Sequence, residues 1–570
     1  MPKILDVKNL SVHFASPQGH TQAVDRVSFH LDQGETLGIV GESGSGKSVT
    51  ALSIMRLLPS PPAGISSEAI TLYPRDGGSK EIEISTLGES EMQRLRGAEI
   101  AMIFQEPMTS LNPVFRCGDQ VTEAIRLHQK VDAEAARKQT LLLFEKVRLP
   151  DPERIFRSYP HQISGGQKQR VMIAMAMSCK PGILIADEPT TALDVTVQKA
   201  ILDLMRELKE ESGLSMLFIS HDLGVISDIC DRVLVMYQGK IVEEGPVQKI
   251  LSNPEHPYTR GLVACRPSLK HKWHRMPTVS DFLDNSRHEA RVVSADETEQ
   301  RRKHLYDASP LLQVKDMLVR FPAEKNWLGR PVKWLNAVDR VSFDVFQGET
   351  FGLAGESGCG KTTLGKAIAR LTDMDSGQII YNGTALHDLS IEAFKPYRRD
   401  IQVVFQDPYS SLNPRMAIGR AIMEPMQVHK RFDSDKQRRE KAVELLETVG
   451  LQADQFQRYP HEFSGGQRQR ICIARALALE PRFLVCDEIV SALDVSVQAT
   501  VLNLLADLQE KYGLTYLFIS HDLSVIKQMC DRLLVMNKGK VEAVGYPEDI
   551  FRNPEREYVR ELIAAIPGKE

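Results

Sequence analysis

Several features are scarce in this chain, and each scarcity narrows what it does. Nowhere in its 570 residues is there an apolar run of about 20, the length a helix needs to cross a bilayer. Basic residues are not in excess: 71 Lys and Arg stand against 75 Asp and Glu, a formal net charge of −4. A general affinity for nucleic acid shows as a basic surplus, so none is expected. The eight cysteines are scattered, and no two share metal-ligand spacing, which argues against a zinc or iron-sulfur site. Free, buried thiols in a reducing compartment are the expectation. The opening "MPKILDVKNLSVHF" has no apolar core followed by a cleavage site, so no signal peptide and a cytoplasmic location are expected. Charged residues make up 26% and hydrophobic residues 42%, as in soluble globular proteins.

What is present is a repeat. "YPHQISGGQKQR" at Tyr159 recurs as "YPHEFSGGQRQR" at Tyr459, and "LFISHDLGVI" at Leu217 recurs as "LFISHDLSVI" at Leu517, both 300 residues on. "VDRVSFHLDQGETLGIVGESGSGKS" recurs as "VDRVSFDVFQGETFGLAGESGCGKT", with Lys47 and Lys361 separated by 314. The first copy therefore lacks or gains little except an insertion before its "FQEP" segment, expected in the Pro/Gly-rich "PSPPAGISSEAITLYPRDGGSKE" as loop and hairpin. Self-similarity on this scale means two homologous domains, 1–265 and 310–570. The stretch 266–309 between them is polar and aperiodic and reads as a linker with a short helix. β-Branched runs such as "TLGIV", "GILIA" and "MLFIS" alternate with helical patterns, which predicts α/β domains with a largely parallel core sheet.

Each copy carries G-x-x-x-x-G-K-[ST] after an apolar strand and before a helical pattern. In the first it comprises Gly41, Glu42, Ser43, Gly44, Ser45, Gly46, Lys47 and Ser48; in the second, Gly355, Glu356, Ser357, Gly358, Cys359, Gly360, Lys361 and Thr362, with Thr363 following. Glycines let backbone N–H groups converge on phosphate oxygens, and the helix that follows presents its positive end to the anion. Lys47 and Lys361 supply charge to the outer phosphates, and Ser48 and Thr362 a hydroxyl for Mg²⁺. A Gly-rich turn that binds nothing is the rival reading of one match, and two matches in context argue against it. Downstream, the apolar strands "ILIADE" and "FLVCDE" each end in an acidic pair. Asp187 and Asp487 suit Mg²⁺; Glu188 and Glu488 suit polarising a water.

With these residues in place, the chain resembles the ATP-binding-cassette ATPases. "ISGGQKQR" and "FSGGQRQR" resemble the family signature, "TALDV" and "SALDV" its D-loop, "SHD" with His221 and His521 its switch histidine, and "FQEP" and "FQDP" with Gln105 and Gln406 its Q-loop, which contributes a metal contact. The resemblance covers both halves and implies that ATP binds with Mg²⁺ between the phosphate loop of one half and the signature of the other. Ser164, Gly165, Gly166 and Gln167, and Ser464, Gly465, Gly466 and Gln467, would supply helix N-terminal donors to that second face. The fused halves would then act as an intramolecular dimer that ATP closes head to tail and hydrolysis reopens. The resemblance also implies an aromatic beneath the adenine, for which Phe14 and Phe321 are the candidates against the rival of edge-strand core residues.

The tails "NPEHPYTRGLVACRP" and "NPEREYVRELIAAIP", with "SLNPVF" and "SLNPRM" after the Q-loops, resemble the peptide/nickel importer ATPases, and the fused arrangement resembles those serving glutathione and peptide import. That branch implies two integral-membrane permeases, a solute-binding protein and a peripheral position on the cytoplasmic face of the bacterial inner membrane. Helical segments at about 105–160 and 406–460 would dock the permeases. Relatives with an iron-sulfur centre carry a cysteine cluster after the tail; only Cys265 stands there, so no cluster is expected. A soluble tandem ATPase acting on ribosomes or nucleic acid is the alternative, and the short linker and importer-type tails disfavour it. A module with dead hydrolysis is disfavoured by the intact acidic pairs. Pro189-Thr190 in the first copy is Ile489-Val490 in the second. A φ-locked residue thus becomes a freer one just after the Glu, and two competent but inequivalent sites are expected.

Overall fold

The computed structural model describes residues 2–16, 19–74, 81–105, 110–191, 193–284, 291–326 and 330–568. Glu106 and Pro107 of the first Q-loop segment, Ala192 of the first "TALDV", residues 75–80 of the insertion and 285–290 of the linker lie outside them.

Each half is built on a six-stranded sheet. In the first, the order is Lys240–Pro246, Arg232–Tyr237, Thr36–Val40, Ser215–Ser220, Ile183–Asp187 and Ile100–Ile103. All neighbours are parallel except the outer hairpin of Arg232–Tyr237 with Lys240–Pro246. The second half repeats this with Thr350–Ala354 and Phe483–Asp487 flanking Thr515–Ser520. Every residue of Thr36–Val40, Ile183–Asp187, Thr350–Ala354 and Phe483–Asp487 is buried. Helices cover both faces of a parallel sheet, so its central strands read as unbroken apolar runs rather than alternating ones. The α/β class expected from the sequence is what is found.

An antiparallel β region precedes each core sheet. In the first half, Lys3–Ser16 pairs with Gly19–Asp32 and also with Ala63–Ser66 and Ala69–Leu72. Ala69–Leu72 pairs in turn with Ile82–Glu83. The first copy's extra residues thus add an edge strand: Ala63–Ser66 lies against Ser11 through Phe14. In the second half, Leu312–Lys325 pairs with Pro331–Val345 and Ser376–Tyr381. A helical region follows the sheet strand at Ile100–Ile103. Its helix Cys117–Gln129 buries Cys117, Gly118, Val121 and Ile125, one stripe at helical spacing. The next two helices are capped by Asp132 and Asp151, whose carboxylates accept from the amides of Ala135 and Arg154.

The described residues of 266–309 bridge the halves and carry two helices: Val279–Leu283 packs on Pro257–Ala264 of the first half, and Ala295–Tyr306 follows. Much of the rest is laid against the second half. The side-chain amide of Asn503 accepts from the Met276 amide and donates to the Met276 carbonyl, both at 2.8 Å, and Gln528 does the same for Trp273 at 2.9 and 2.8 Å. Arg301 forks onto Asp531 at 2.6 and 2.9 Å. Backbone groups that a free linker would leave to water are here satisfied by the domain beneath. One buried apolar cluster runs through both halves, from Val40 to Ile563.

Candidate functional site

The two phosphate loops sit between the end of a central strand and the helices Lys47–Ile54 and Lys361–Ile368. Their shape depends on glycine. Gly46 has φ 102° and Gly360 φ 110°, and a Cβ there would come within 2.6 Å of the Ala23 carbonyl oxygen and 2.0 Å of the Ala337 carbonyl oxygen. The helices that follow leave their first-turn amides without intrahelical acceptors, and these face the loop. The Lys47 ammonium is buried and curls onto its own loop, donating to the carbonyls of Gly41 at 2.7 Å and Glu42 at 2.9 Å. Lys361 does so to Gly355 at 2.7 Å and Glu356 at 2.8 Å. Burial lowers the Lys47 pKa against the pull of Glu188 and other nearby carboxylates. The buried Ser45 hydroxyl has no hydrogen-bond partner among the described residues. A buried cation held by carbonyls, free helix amides and an orphan hydroxyl suit a polyanion such as the phosphates of ATP.

Each loop meets the acidic pair of its own half. The Ser48 hydroxyl donates to Asp187 at 2.9 Å and the Thr362 hydroxyl to Asp487 at 2.8 Å. Hydroxyl plus carboxylate is a hard oxygen donor set that fits Mg²⁺. Burial raises the Asp187 carboxyl to about 6 despite the Ser48 hydrogen bond, and it raises Asp487 likewise. Glu188 and Glu488 follow at the strand ends with φ 47° and 48°, the left-handed region that L-residues avoid. Strain of this kind is retained where surrounding contacts fix the residue.

Those contacts differ between halves. Glu188 accepts from Gln105 Nε2 at 3.0 Å and Thr191 Oγ1 at 2.8 Å, and its Oε2 lies 3.1 Å from His221 Nδ1. Glu488 accepts from Gln406 Nε2 at 2.9 Å, lies 3.3 Å from His521 Nδ1, and stands 3.6 Å from Lys361 Nζ. Burial opposes ionisation of Glu188, but the hydrogen bond and charge of His221, with Thr191 and Lys47, outweigh it and hold the carboxyl at about 2. Glu488 is held down by the same kind of partners, and both histidines are raised in return, against burial. The structure thus gathers loop lysine, hydroxyl, acidic pair, Q-loop glutamine and switch histidine of each half at one place.

The signatures open the helices Gly165–Met177 and Gly465–Leu477. Ser164 and Ser464 are their N-caps, each accepting from the amide of Gln167 or Gln467 at 3.3 Å, and those glutamines reach back to the cap amides at 3.1 and 3.0 Å. Gly166 and Gly466 lie so close to Val197 and Val497 that a Cβ would stand 2.7 and 2.2 Å from a methyl. Phe14 is half-buried, opposite Thr21 and Ala63 on neighbouring strands, whereas Phe321 is 43% exposed opposite Leu335.

The D-loop aspartates find partners that the sequence did not announce. Asp494 accepts from the Ser43 amide at 3.0 Å and Asp194 from the Ser357 amide at 2.6 Å, each across to the other half. Thr196 Oγ1 donates to Glu356 at 2.6 Å, again across, while the buried hydroxyl of its counterpart Ser496 is unpartnered among the described residues. The halves therefore face each other head to tail, with the loop of each touched by the D-loop of the other. Both aspartates lie inside the repeated "LDV", which was the available signal.

The family model for ABC transporters matches residues 24–191 and 338–491, and that for the oligopeptide/dipeptide transporter C-terminal region matches 242–288. The glutathione import ATP-binding protein GsiA of Pectobacterium atrosepticum is 47% identical over 569 residues, covering 99% of this chain and 90% of that protein. Its namesake in Escherichia coli K12 is 48% identical over 573 residues, covering 100% and 90%. A solved dimeric, post-hydrolysis ATP-binding cassette bound to ADP and Pi is 27% identical over 98% of its own length and 41% of this chain, with a TM-score of 0.38.

Proposed function

This chain belongs to the ABC transporter family as an importer ATPase, and from that premise we propose that it powers the uptake of glutathione from two composite sites. The reciprocal reach of Asp494 to the Ser43 amide and of Asp194 to the Ser357 amide carries this reading. It puts the loop of one half and the D-loop of the other on one surface, as a site shared between halves requires. The assignment of glutathione rests on its import by the GsiA relatives.

In each site the loop amides and Lys47 or Lys361 bind the phosphates. Ser48 with Asp187, and Thr362 with Asp487, would hold Mg²⁺, with Gln105 and Gln406 beside them. A bound Mg²⁺ neutralises charge on the phosphate oxygens. Glu188 and Glu488, ionised and aimed by the switch histidines, orient the attacking water and draw on its proton. The signature serines and glycines close the site from the opposite half. Phe321, the more exposed aromatic, suits an adenine platform in the second half, and Phe14 takes that part in the first. Closure requires nucleotide contacts on both halves at once, and loss of the bridging phosphate removes them.

The chain works with two permeases and a solute-binding protein, peripheral to the cytoplasmic face of the inner membrane. Among the described residues no helix is long and apolar enough to cross a bilayer. A groove of about 730 Å³ beside the second Q-loop, lined by Gln406, Asp407, Glu424, His429 and Arg475, suits a permease helix. Purification of the tagged chain from membranes tests the assignment. Recovery with hydrophobic permeases is expected, and association with ribosomes alone contradicts it.

A further inference from the structure

The importer-type tail of each half reaches its own phosphate loop. Tyr258, in the helix Pro257–Ala264, is fully buried, and its hydroxyl oxygen accepts from the Glu42 amide at 3.0 Å. Tyr558, in the helix Glu557–Ala564, accepts from the Glu356 amide at 3.1 Å. The next amide in each loop is the one held from across, Ser43 by Asp494 and Ser357 by Asp194. Two consecutive amides are therefore gripped, one by the loop's own tail and one by the other half. The same Glu residues offer their carbonyls to the loop lysines, at 2.9 Å from Glu42 to Lys47 and 2.8 Å from Glu356 to Lys361. A rotation of that residue moves the lysine's acceptor with it.

The tail helices also touch the opposite half. Pro257–Ala264 packs against Val495–Tyr512, which begins immediately after Asp494, and Glu557–Ala564 packs against Val195–Ser212. Lys199 Nζ donates to the Ala564 carbonyl at 2.9 Å, and Arg266 donates to the Pro567 carbonyl across the same seam. The two clamps are not identical. Tyr237 stacks on Tyr258 with ring centroids 4.2 Å apart, whereas its counterpart in the second half is Asn537 and Tyr558 is only half-buried.

The structure assigns Tyr258 and Tyr558 as positioning residues for nucleotide binding: each fixes the leading edge of its phosphate loop and ties that edge to the seam between the halves. The assignment rests on the reading of these loops as the phosphate sites. It adds a role for the tail that neither the loop motif nor the tail's family match supplies.

The test uses the full chain carrying Tyr258→Phe and Tyr558→Phe together. Phenylalanine keeps the ring and removes only the acceptor, which leaves the Glu42 and Glu356 amides unpaired. The Kd for a fluorescent ATP analogue and the KM for ATP are expected to rise about three- to tenfold, the range of one lost hydrogen bond. Turnover at saturating ATP should stay within about twofold and the melting temperature close to the parent. Unchanged Kd and KM overturn the assignment. Leu262→Ala, a buried change in the same helix, is expected to lower the melting temperature without moving Kd; an equal rise in Kd would mean tail packing alone and overturn it as well. Retained analogue binding in a Lys47→Ala/Lys361→Ala chain overturns the phosphate-loop reading itself, so the two failures are distinguishable.

Discussion

Thr191 donates its hydroxyl hydrogen to the Glu188 carboxylate at 2.8 Å, whereas its counterpart Ser491 turns to the Glu488 backbone carbonyl at 2.8 Å. Glu488 lacks that donor and lies 3.6 Å from Lys361 instead. The change sits where Pro189-Thr190 becomes Ile489-Val490, two apolar residues that are almost fully buried. The carboxylates are therefore intact but differently held. Thr191→Ala, in a chain whose second half is silenced by Glu488→Gln, is expected to slow the remaining hydrolysis several-fold. Ser491→Ala in the Glu188→Gln chain should change it little. Single-turnover hydrolysis of the four chains decides between them, and equal responses would mean equivalent sites.

Glu188→Gln and Glu488→Gln should each retain ATP-analogue binding while cutting turnover at that site by about 10²–10⁴, the usual range for a lost general base. The amide keeps the shape of the carboxylate but accepts no proton. Steady-state hydrolysis paired with analogue titration checks this. Normal hydrolysis in the double variant would remove both residues from the chemistry.

Much of this was legible in the sequence because each motif is local. Lys47 and Ser48 are neighbours where one loop enters its helix, and the apolar strand that ends at Asp187 announces both its burial and its acidic terminus. The signature's cap pair, Ser164 with Gln167, likewise spans three residues. What escaped joins distant parts of the chain: Tyr258 meets Glu42 across 216 positions and Asp494 meets Ser43 across 451. No periodicity or spacing encodes such encounters; they follow from how the halves and tails pack. The divergence of Thr191 and Ser491 was only half visible: the sequence shows threonine against serine, a methyl apart, but not that one hydroxyl reaches the Glu188 carboxylate and the other the Glu488 backbone carbonyl.

The D-loop aspartates give a further prediction. Asp194→Ala with Asp494→Ala removes two charge-assisted bonds between halves, each contributing about 1.5–3 kcal/mol. The ATP concentration that half-closes the pair, read by a distance probe placed across the seam, should rise at least about tenfold. Closure at the parent's ATP concentration would show that these bonds do not hold the halves together.

Arg301 anchors the connecting stretch through Asp531, which is nearly buried. Burial pushes the Asp531 carboxyl up, but the Arg301 fork, with Lys272, outweighs it and holds the pKa below the ordinary value. A carboxyl lowered in the folded state contributes stability that is complete above its unfolded value and fades as pH falls through the lower folded one. Arg301→Ala should therefore cost about 1–3 kcal/mol at pH 7, less than a fully buried pair because Arg301 stays half exposed. The deficit should shrink as pH drops below about 4. Denaturant unfolding of parent and variant at pH 7 and below pH 4 measures it, and a deficit independent of pH would assign the loss to packing.

The most direct test of the proposed function is ATP hydrolysis by the chain assembled in lipid vesicles with the two permeases proposed for it, and with the proposed solute-binding protein added empty or loaded with glutathione, a dipeptide or nickel. Hydrolysis is expected to rise several-fold with the glutathione-loaded protein, and to stay flat when the chain carries Glu188→Gln and Glu488→Gln. Hydrolysis indifferent to every loaded form, or one that survives both substitutions, would contradict it.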